Sequence, residues 1–171
     1  MSERSMNLQA DARGPIIRPR VSGDMAECAE VLRAVHLRDS YPVNWPADAE
    51  SWLAEVESAW VAEIDGRVVG HVAATISDDD ARVVTVERLF VAPSVNGRGI
   101  GARLLDVATA HGDAELALLA VADNGHHAQR LYRERGWSLR SRTPITWGGS
   151  DASSLLWYEL RRNVREDPAS G

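Results

Sequence analysis

The chain has 171 residues, 44% of them hydrophobic and 26% charged, the balance of one globular domain with its own core. A formal net charge of −6 argues against broad electrostatic binding of nucleic acid, which needs a basic face. The one cysteine, Cys28, rules out a disulfide framework or a cysteine-based zinc site within one chain.

The first residues carry no apolar segment of the signal-peptide kind, and no long apolar run follows, so the expectation is a cytoplasmic protein without a membrane partner. Residues 1–14 are expected to form a flexible leader, 15–162 one domain and 163–171 a flexible tail. Residues 16–21 read as a short first strand. Asp24, three before Glu27, predicts a capping box opening a helix with Met25, Cys28, Ala29, Leu32 and Val35 on its apolar stripe. Cys28 in that stripe is expected to be buried and inert. A loop with Tyr41 and Trp45 follows, then a short helix carrying Ala49, Trp52, Leu53 and Val56.

The periodicity then changes to strands. Two runs flank Asp65-Gly66, a hairpin signal through a type I′ turn. A third long strand, "RVVTVERLFV", stops at Pro93, which has no N–H for a ladder. Period-two alternation would put Glu87, Leu89 and Val91 on one face of it. A helix starts at Gly99 and ends near Gly112. "LALLAV", residues 116–121, reads as a strand buried on both faces. A fourth helix carries Ala128, Leu131, Tyr132 and Arg135 on one stripe, and two strands close the chain. The order β-α-α-β-β-β-α-β-α-β-β predicts a mixed sheet of about seven strands with helices on both faces, in the α/β or α+β class.

The segment from Gly97 to Ala102 matches G-x-G-x-x-G/A, the dinucleotide pattern, in the wrong context. That pattern belongs right after a first strand, with an acid about twenty residues on. Here it follows the fourth strand, and residues 116–122 carry no acid. The physical content survives: a glycine-rich entry leaves the first-turn N–H groups of a helix uncovered, an anion site to which Arg98 and Arg103 could add charge.

Two stretches and the element order resemble the GCN5-related N-acetyltransferase (GNAT) family over about residues 16–160. "LFVAPSVNGRGIGARLL" is similar to its acetyl-coenzyme A motif, and "ADNGHHAQRLYRERGW" to its late N-x-x-A-x-x-L-Y…G-F/W motif. Two positions depart from it: Asn96 stands where the family has Arg or Gln, and Gly125 where it has Asn, with Asn124 one residue early. The resemblance implies acetyl transfer from acetyl-CoA to a primary amine by direct attack in a ternary complex, the acceptor being a small molecule or a peptide N-terminus. It implies cofactor contacts from Leu89, Phe90, Val91, Asn96, Gly97, Arg98, Gly99, Ile100, Gly101, Ala102, Asn124 and Ala128, with Tyr132 as the acid. The base is left between Glu87, His71 and water. Tyr41, Trp45 and Trp147 would line the acceptor site. His126 and His127 are adjacent and lack metal-ligand spacing, so no metal site is expected. A homodimer is compatible with the sequence. The alternative is an acyl-CoA sensor that binds without catalysing.

Overall fold

A computed structural model describes residues 14–147 and 152–162. The expected tail and all but one residue of the expected leader lie outside the described residues. The elements follow the expected order: β1 (Ile16–Pro19), α1 (Met25–Asp39), α2 (Ala49–Ala54), β2 (Ser58–Ile64), β3 (Arg67–Ile76), β4 (Val83–Val91), α3 (Ile100–Thr109), β5 (Leu116–Ala122), α4 (His126–Glu134), β6 (Ser138–Pro144) and β7 (Ser154–Arg161). They form a seven-stranded sheet of order β1-β2-β3-β4-β5-β7-β6, antiparallel except where β4 runs parallel to β5.

Alternation along the strands sends side chains to two cores. On one face Val72, Ala74, Val84, Val86, Ala117, Leu119, Leu156 and Tyr158 meet Ile100, Leu104 and Leu105 of α3 and Tyr132 of α4. On the other, Val61, Val68 and Phe90 meet Cys28, Leu32 and Val35 of α1 and Leu53 of α2. Cys28 is fully buried, which pushes its thiol up to about 12 and leaves it inert, as expected. The hairpin turn is of the expected type, with positive φ at both Asp65 (51°) and Gly66 (77°).

Four local expectations are corrected. The first strand ends at Pro19, because residues 22–24 wind into a 3-10 turn. Asp24 does not cap α1 with its side chain. Its carboxylate turns back, accepting from the Val21 N–H at 2.8 Å and from both terminal nitrogens of Arg18 at 2.8 Å. Glu27 likewise leaves the helix end and accepts from the Val68 N–H of β3 at 2.8 Å. The Arg18 guanidinium of β1 and the Val68 N–H of β3 take the two carboxylates from the box, and both tie the start of α1 to the sheet. Helix α2 stops at Ala54, short of Val56; its start is capped by Asp48, which accepts from the N–H groups of Glu50 and Ser51. Strand β5 is not buried on both faces: Leu116 and Leu118 are half-buried and Ala120 is exposed. Helix α1 packs on β3 and β4 and does not reach that far.

Hydrogen bonds from Arg18 hold the Asp24 carboxyl below its usual range. Breaking a largely buried pair leaves charge uncompensated. Asp24→Asn should therefore lower unfolding stability by about 2 kcal/mol at pH 7, read from urea melts. The loss should shrink as pH falls through the folded pKa of Asp24, where the wild-type carboxyl is itself protonated.

Candidate functional site

The centre of the sheet comes apart. Strands β4 and β5 pair only from Val83↔Leu116 to Thr85↔Leu118 and share no ladder beyond. In the same stretch β4 is broken by a bulge. Arg88 takes a left-handed conformation (φ 52°), and the register with β3 slips between His71↔Phe90 and Ala73↔Glu87. Past the bulge the Ala92 N–H donates to the Val69 carbonyl at 2.7 Å. By antiparallel alternation the backbone of Phe90 then bonds β3, while that of Leu89 and Val91 faces the gap toward β5.

The bulge overturns the expectation that Glu87 shares a face with Leu89 and Val91. The extra residue flips the alternation. Val84, Val86, Leu89 and Val91 pack toward α3 and α4, whereas Phe90 packs toward α1. Glu87 points to that second side, where it accepts from the Thr75 hydroxyl at 3.1 Å and pairs with an Arg88 terminal nitrogen at 3.1 Å. The Arg88 guanidinium sits over the Trp52 ring of α2, 4.3 Å from its centre. Phe90 likewise departs from its expected cofactor role: its side chain is core and its backbone belongs to β3.

A buried polar chain holds the bulge. His71, fully buried, stacks on Phe90 with ring centres 5.0 Å apart at 14°. Its Nε2 lies 2.9 Å from Arg20, which can only donate, so that nitrogen accepts and the proton sits on Nδ1. Nδ1–H then donates to the Arg88 carbonyl at 2.8 Å. Arg20 also donates to the Leu53 carbonyl at 2.7 Å. Burial holds the imidazole near a pKa of about 4, and both its nitrogens are engaged. His71 is thus a brace, without a spare lone pair for a base.

At the gap's mouth, α3 begins from Gly99 with no capping side chain. Gly97 and Gly99 have φ of 83° and 73°, and an added Cβ at either would meet only open space. Their conformation, and not crowding, calls for glycine. Asn96 and Arg98 are exposed beside them. Ile100 puts its side chain in the core, Ala102 is half-buried, and Gly101 sits against Val91 and Leu131. Arg103 turns away to donate to the Pro15 carbonyl. Across the gap, Asn124 is exposed on the turn into α4, and its carbonyl accepts from the His126 N–H. Gly125 cannot be the family's Asn without rearrangement, since a Cβ there would lie 2.9 Å from the Val121 side chain. The sequence reading passed over Gln129, which donates to the Ala122 and Asp123 carbonyls and secures that turn. Ala128 packs partly on the core.

Tyr132 is 6% exposed, between Trp137 and Tyr158, at ring distances of 6.1 and 5.9 Å. Burial raises its pKa, so the hydroxyl keeps its proton. Burial raises Tyr41 as well; Tyr132 and Glu87 add to that while Arg88 opposes. Trp45 does not join them. It packs 5.0 Å from His36 and under Arg33. Trp147 is 49% exposed beside residues 148–151, which lie outside the described residues. Arg88 and Tyr158 were not among the expected site residues; Arg88 carried the same signal as Glu87, a charge within an apolar strand.

No helix among the described residues is long and apolar enough to cross a membrane, and no group of three or more His, Cys, Asp or Glu is placed to hold a metal.

His71 makes a prediction about pH. Its folded pKa lies below the ordinary 6.5, so between pH 6.5 and about 4 the unfolded chain binds more protons. Stability should fall as pH drops through that window, by about 3 kcal/mol in all from this group. Thermal melts of wild type and His71→Asn should converge across it; parallel curves would show that His71 is not buried neutral.

The comparisons agree with this geometry. The model of the acetyltransferase (GNAT) family matches residues 26–137. A protein from Archaeoglobus fulgidus called an uncharacterized N-acetyltransferase is 33% identical over 90 residues, spanning 47% of this chain and 61% of that relative. Among solved structures, yncA from Salmonella typhimurium, solved with its cofactor acetyl-CoA, superposes with a TM-score of 0.69 at 19% identity, covering 92% of this chain and 99% of that one. The ribosomal-protein-S18-alanine N-acetyltransferase from Escherichia coli superposes with a TM-score of 0.71 at 14% identity over 92% and 99%. An N-acetyltransferase from Staphylococcus aureus Mu50 reaches 0.72 at 15% over 86% and 98%. With a parted β4–β5 pair, a glycine-entered α3 and a family match over most of its described length, this chain belongs to the GNAT acetyltransferase family.

Proposed function

We propose that this chain moves the acetyl group of acetyl-CoA to a primary amine, with both bound together in the site beside β4. The observation that carries the reading is the parting of β4 from β5 next to the uncapped start of α3. Unpaired backbone groups at Leu89 and Val91 suit an extended amide-bearing arm laid along the strand. The N–H groups of the first turn of α3, opened by Gly97 and Gly99, suit a pyrophosphate. The residues present therefore fit the donor, with Asn96 to Ala102 at its phosphates and Asn124 and Ala128 on the opposite wall. When bound, acetyl-CoA supplies a thioester whose carbonyl carbon takes the amine and whose sulfur leaves.

The chain's own groups then have defined tasks. The Val91 N–H donates toward the carbonyl oxygen, where negative charge develops during attack. An acceptor amine with a pKa of about 10 arrives as ammonium at neutral pH. Glu87, with acceptor capacity beyond its bonds to Thr75 and Arg88, receives that ammonium and takes a proton, freeing the nitrogen lone pair. The C–N bond forms, the C–S bond breaks, and Tyr132 gives its hydroxyl proton to the departing sulfur, whose thiol pKa is about 8.5. The nitrogen's second surplus proton leaves to solvent, Glu87 releases its proton to solvent, and Tyr132 is reprotonated from solvent. Tyr41 lines the acceptor side.

Tyr132→Phe should lower kcat about a hundredfold while the dissociation constant for acetyl-CoA, read by calorimetry, stays within about twofold of wild type. Unchanged kcat would remove Tyr132 from the reaction. Binding of acetyl-CoA without release of CoA, across a broad amine panel, would favour the sensor. Glu87→Gln should lose about tenfold or more of kcat/KM at pH 7 and recover as pH approaches the pKa of the amine, since the acceptor then arrives deprotonated. A loss that is constant with pH would leave Glu87 with a packing role.

A further inference from the structure

Arg88 is paired with Glu87, but its charge and donors exceed what that pair uses. Its side chain is 11% exposed, and among the described residues its Nε is the one buried side-chain nitrogen or oxygen with no hydrogen-bond partner. A guanidinium carries five N–H donors in a plane. The Trp52 ring lies 4.3 Å from the guanidinium carbon and offers it no hydrogen-bond acceptor of the usual kind. One terminal nitrogen goes to Glu87.

The surroundings are also cationic. Arg20 reaches the same bulge through His71, and burial, with the Arg88 charge adding to it, holds the Arg20 pKa below its usual value. Arg20 spends its bonds on neutral acceptors, the Leu53 carbonyl and His71. Asp24, the carboxylate that Arg20 also feels, is bonded to Arg18 by both oxygens. Glu87 is left as the carboxylate facing Arg88.

Resting on the acetyltransferase reading, we propose that the acceptor is an amino acid: Arg88 binds its carboxylate while Glu87 binds its ammonium. An α-amino acid carries both groups on one carbon, and the Glu87 and Arg88 head groups stand 3.1 Å apart. A guanidinium edge offers a carboxylate charge-assisted bonds, bidentate where the planes align. That bond also relieves a buried donor that is otherwise unsatisfied. Tyr41 and Trp52, both partly buried, border the same region, Tyr41 backed by Phe90 at a ring distance of 6.5 Å, and give the acceptor's side chain an aromatic wall. A peptide N-terminus or a polyamine presents no carboxylate beside its amine and leaves Arg88 as it stands.

The test compares free amino acids with their primary amides, using acetyl-CoA and reading CoA release. In wild type, kcat/KM should favour the acid over its amide by about ten- to hundredfold for the preferred side chain. In Arg88→Gln that ratio should fall toward one, whatever happens to the absolute rate, and Arg88→Lys should restore part of it. A wild-type ratio near one overturns the proposal, and a ratio that persists in Arg88→Gln removes Arg88 from it. Circular dichroism melts check that each variant is folded, with Arg88→Lys carrying the comparison if the Gln variant is not. If no amine is acetylated, calorimetry with the same amino acids separates the two claims. Binding that Arg88→Gln abolishes keeps the carboxylate site and sinks the transferase, whereas no binding sinks both.

Discussion

The bulge at Arg88 is the constraint on which the site depends. A non-glycine residue in the left-handed region costs about 1 to 2 kcal/mol, and here it is met by a hydrogen bond from His71 to the Arg88 carbonyl. The bulge reverses the alternation of β4. Upstream, the carboxylate of Glu87 goes to the side of α1 and α2; downstream, Leu89 and Val91 go to the side of α3 and α4. One strand thereby serves two compartments. Its backbone at Leu89 and Val91 faces the gap, while Glu87 and Arg88 lie toward α1 and α2.

The gap follows from the same break. Strands β4 and β5 pair for three residues and then diverge, which leaves backbone groups of β4 without a strand partner at the sheet's centre. In a folded protein such groups call for water or a ligand. The fold keeps the split from spreading with buried contacts on both sides: α3 wedges Leu104 and Leu105 under β3 and β4, and Tyr132, Trp137 and Tyr158 close the far side under β7.

The polar brace is buried at a cost in solvation, and the arrangement offsets it by satisfying each partner. Arg20 donates to Leu53 and His71; His71 donates to Arg88. The chain links the end of β1 and the end of α2 to the bulge of β4. Arg18 does the same further out, bridging Asp24 and Glu63.

Element order, the hairpin at Asp65-Gly66, the burial of Cys28 and the glycine entry to α3 were legible in the sequence, because each rests on local periodicity or on a backbone conformation that few residues adopt. The family resemblance came from the same local patterns. Other features were decided by tertiary structure. Asp24 and Glu27 gave up a helix cap, Asp24 for an ion pair with Arg18 of β1 and Glu27 for the Val68 N–H of β3. The reach of α1 decided which face of β5 is left uncovered. The face on which Glu87 lies was hidden, since strict alternation holds only for an unbroken ladder and nothing local in "VERLFV" marks Arg88 as the extra residue. Sequence carries conformational preferences over a few residues. Which partner wins a buried donor, and where a strand must break to meet its neighbours, is settled only when distant segments compete for the same hydrogen bonds.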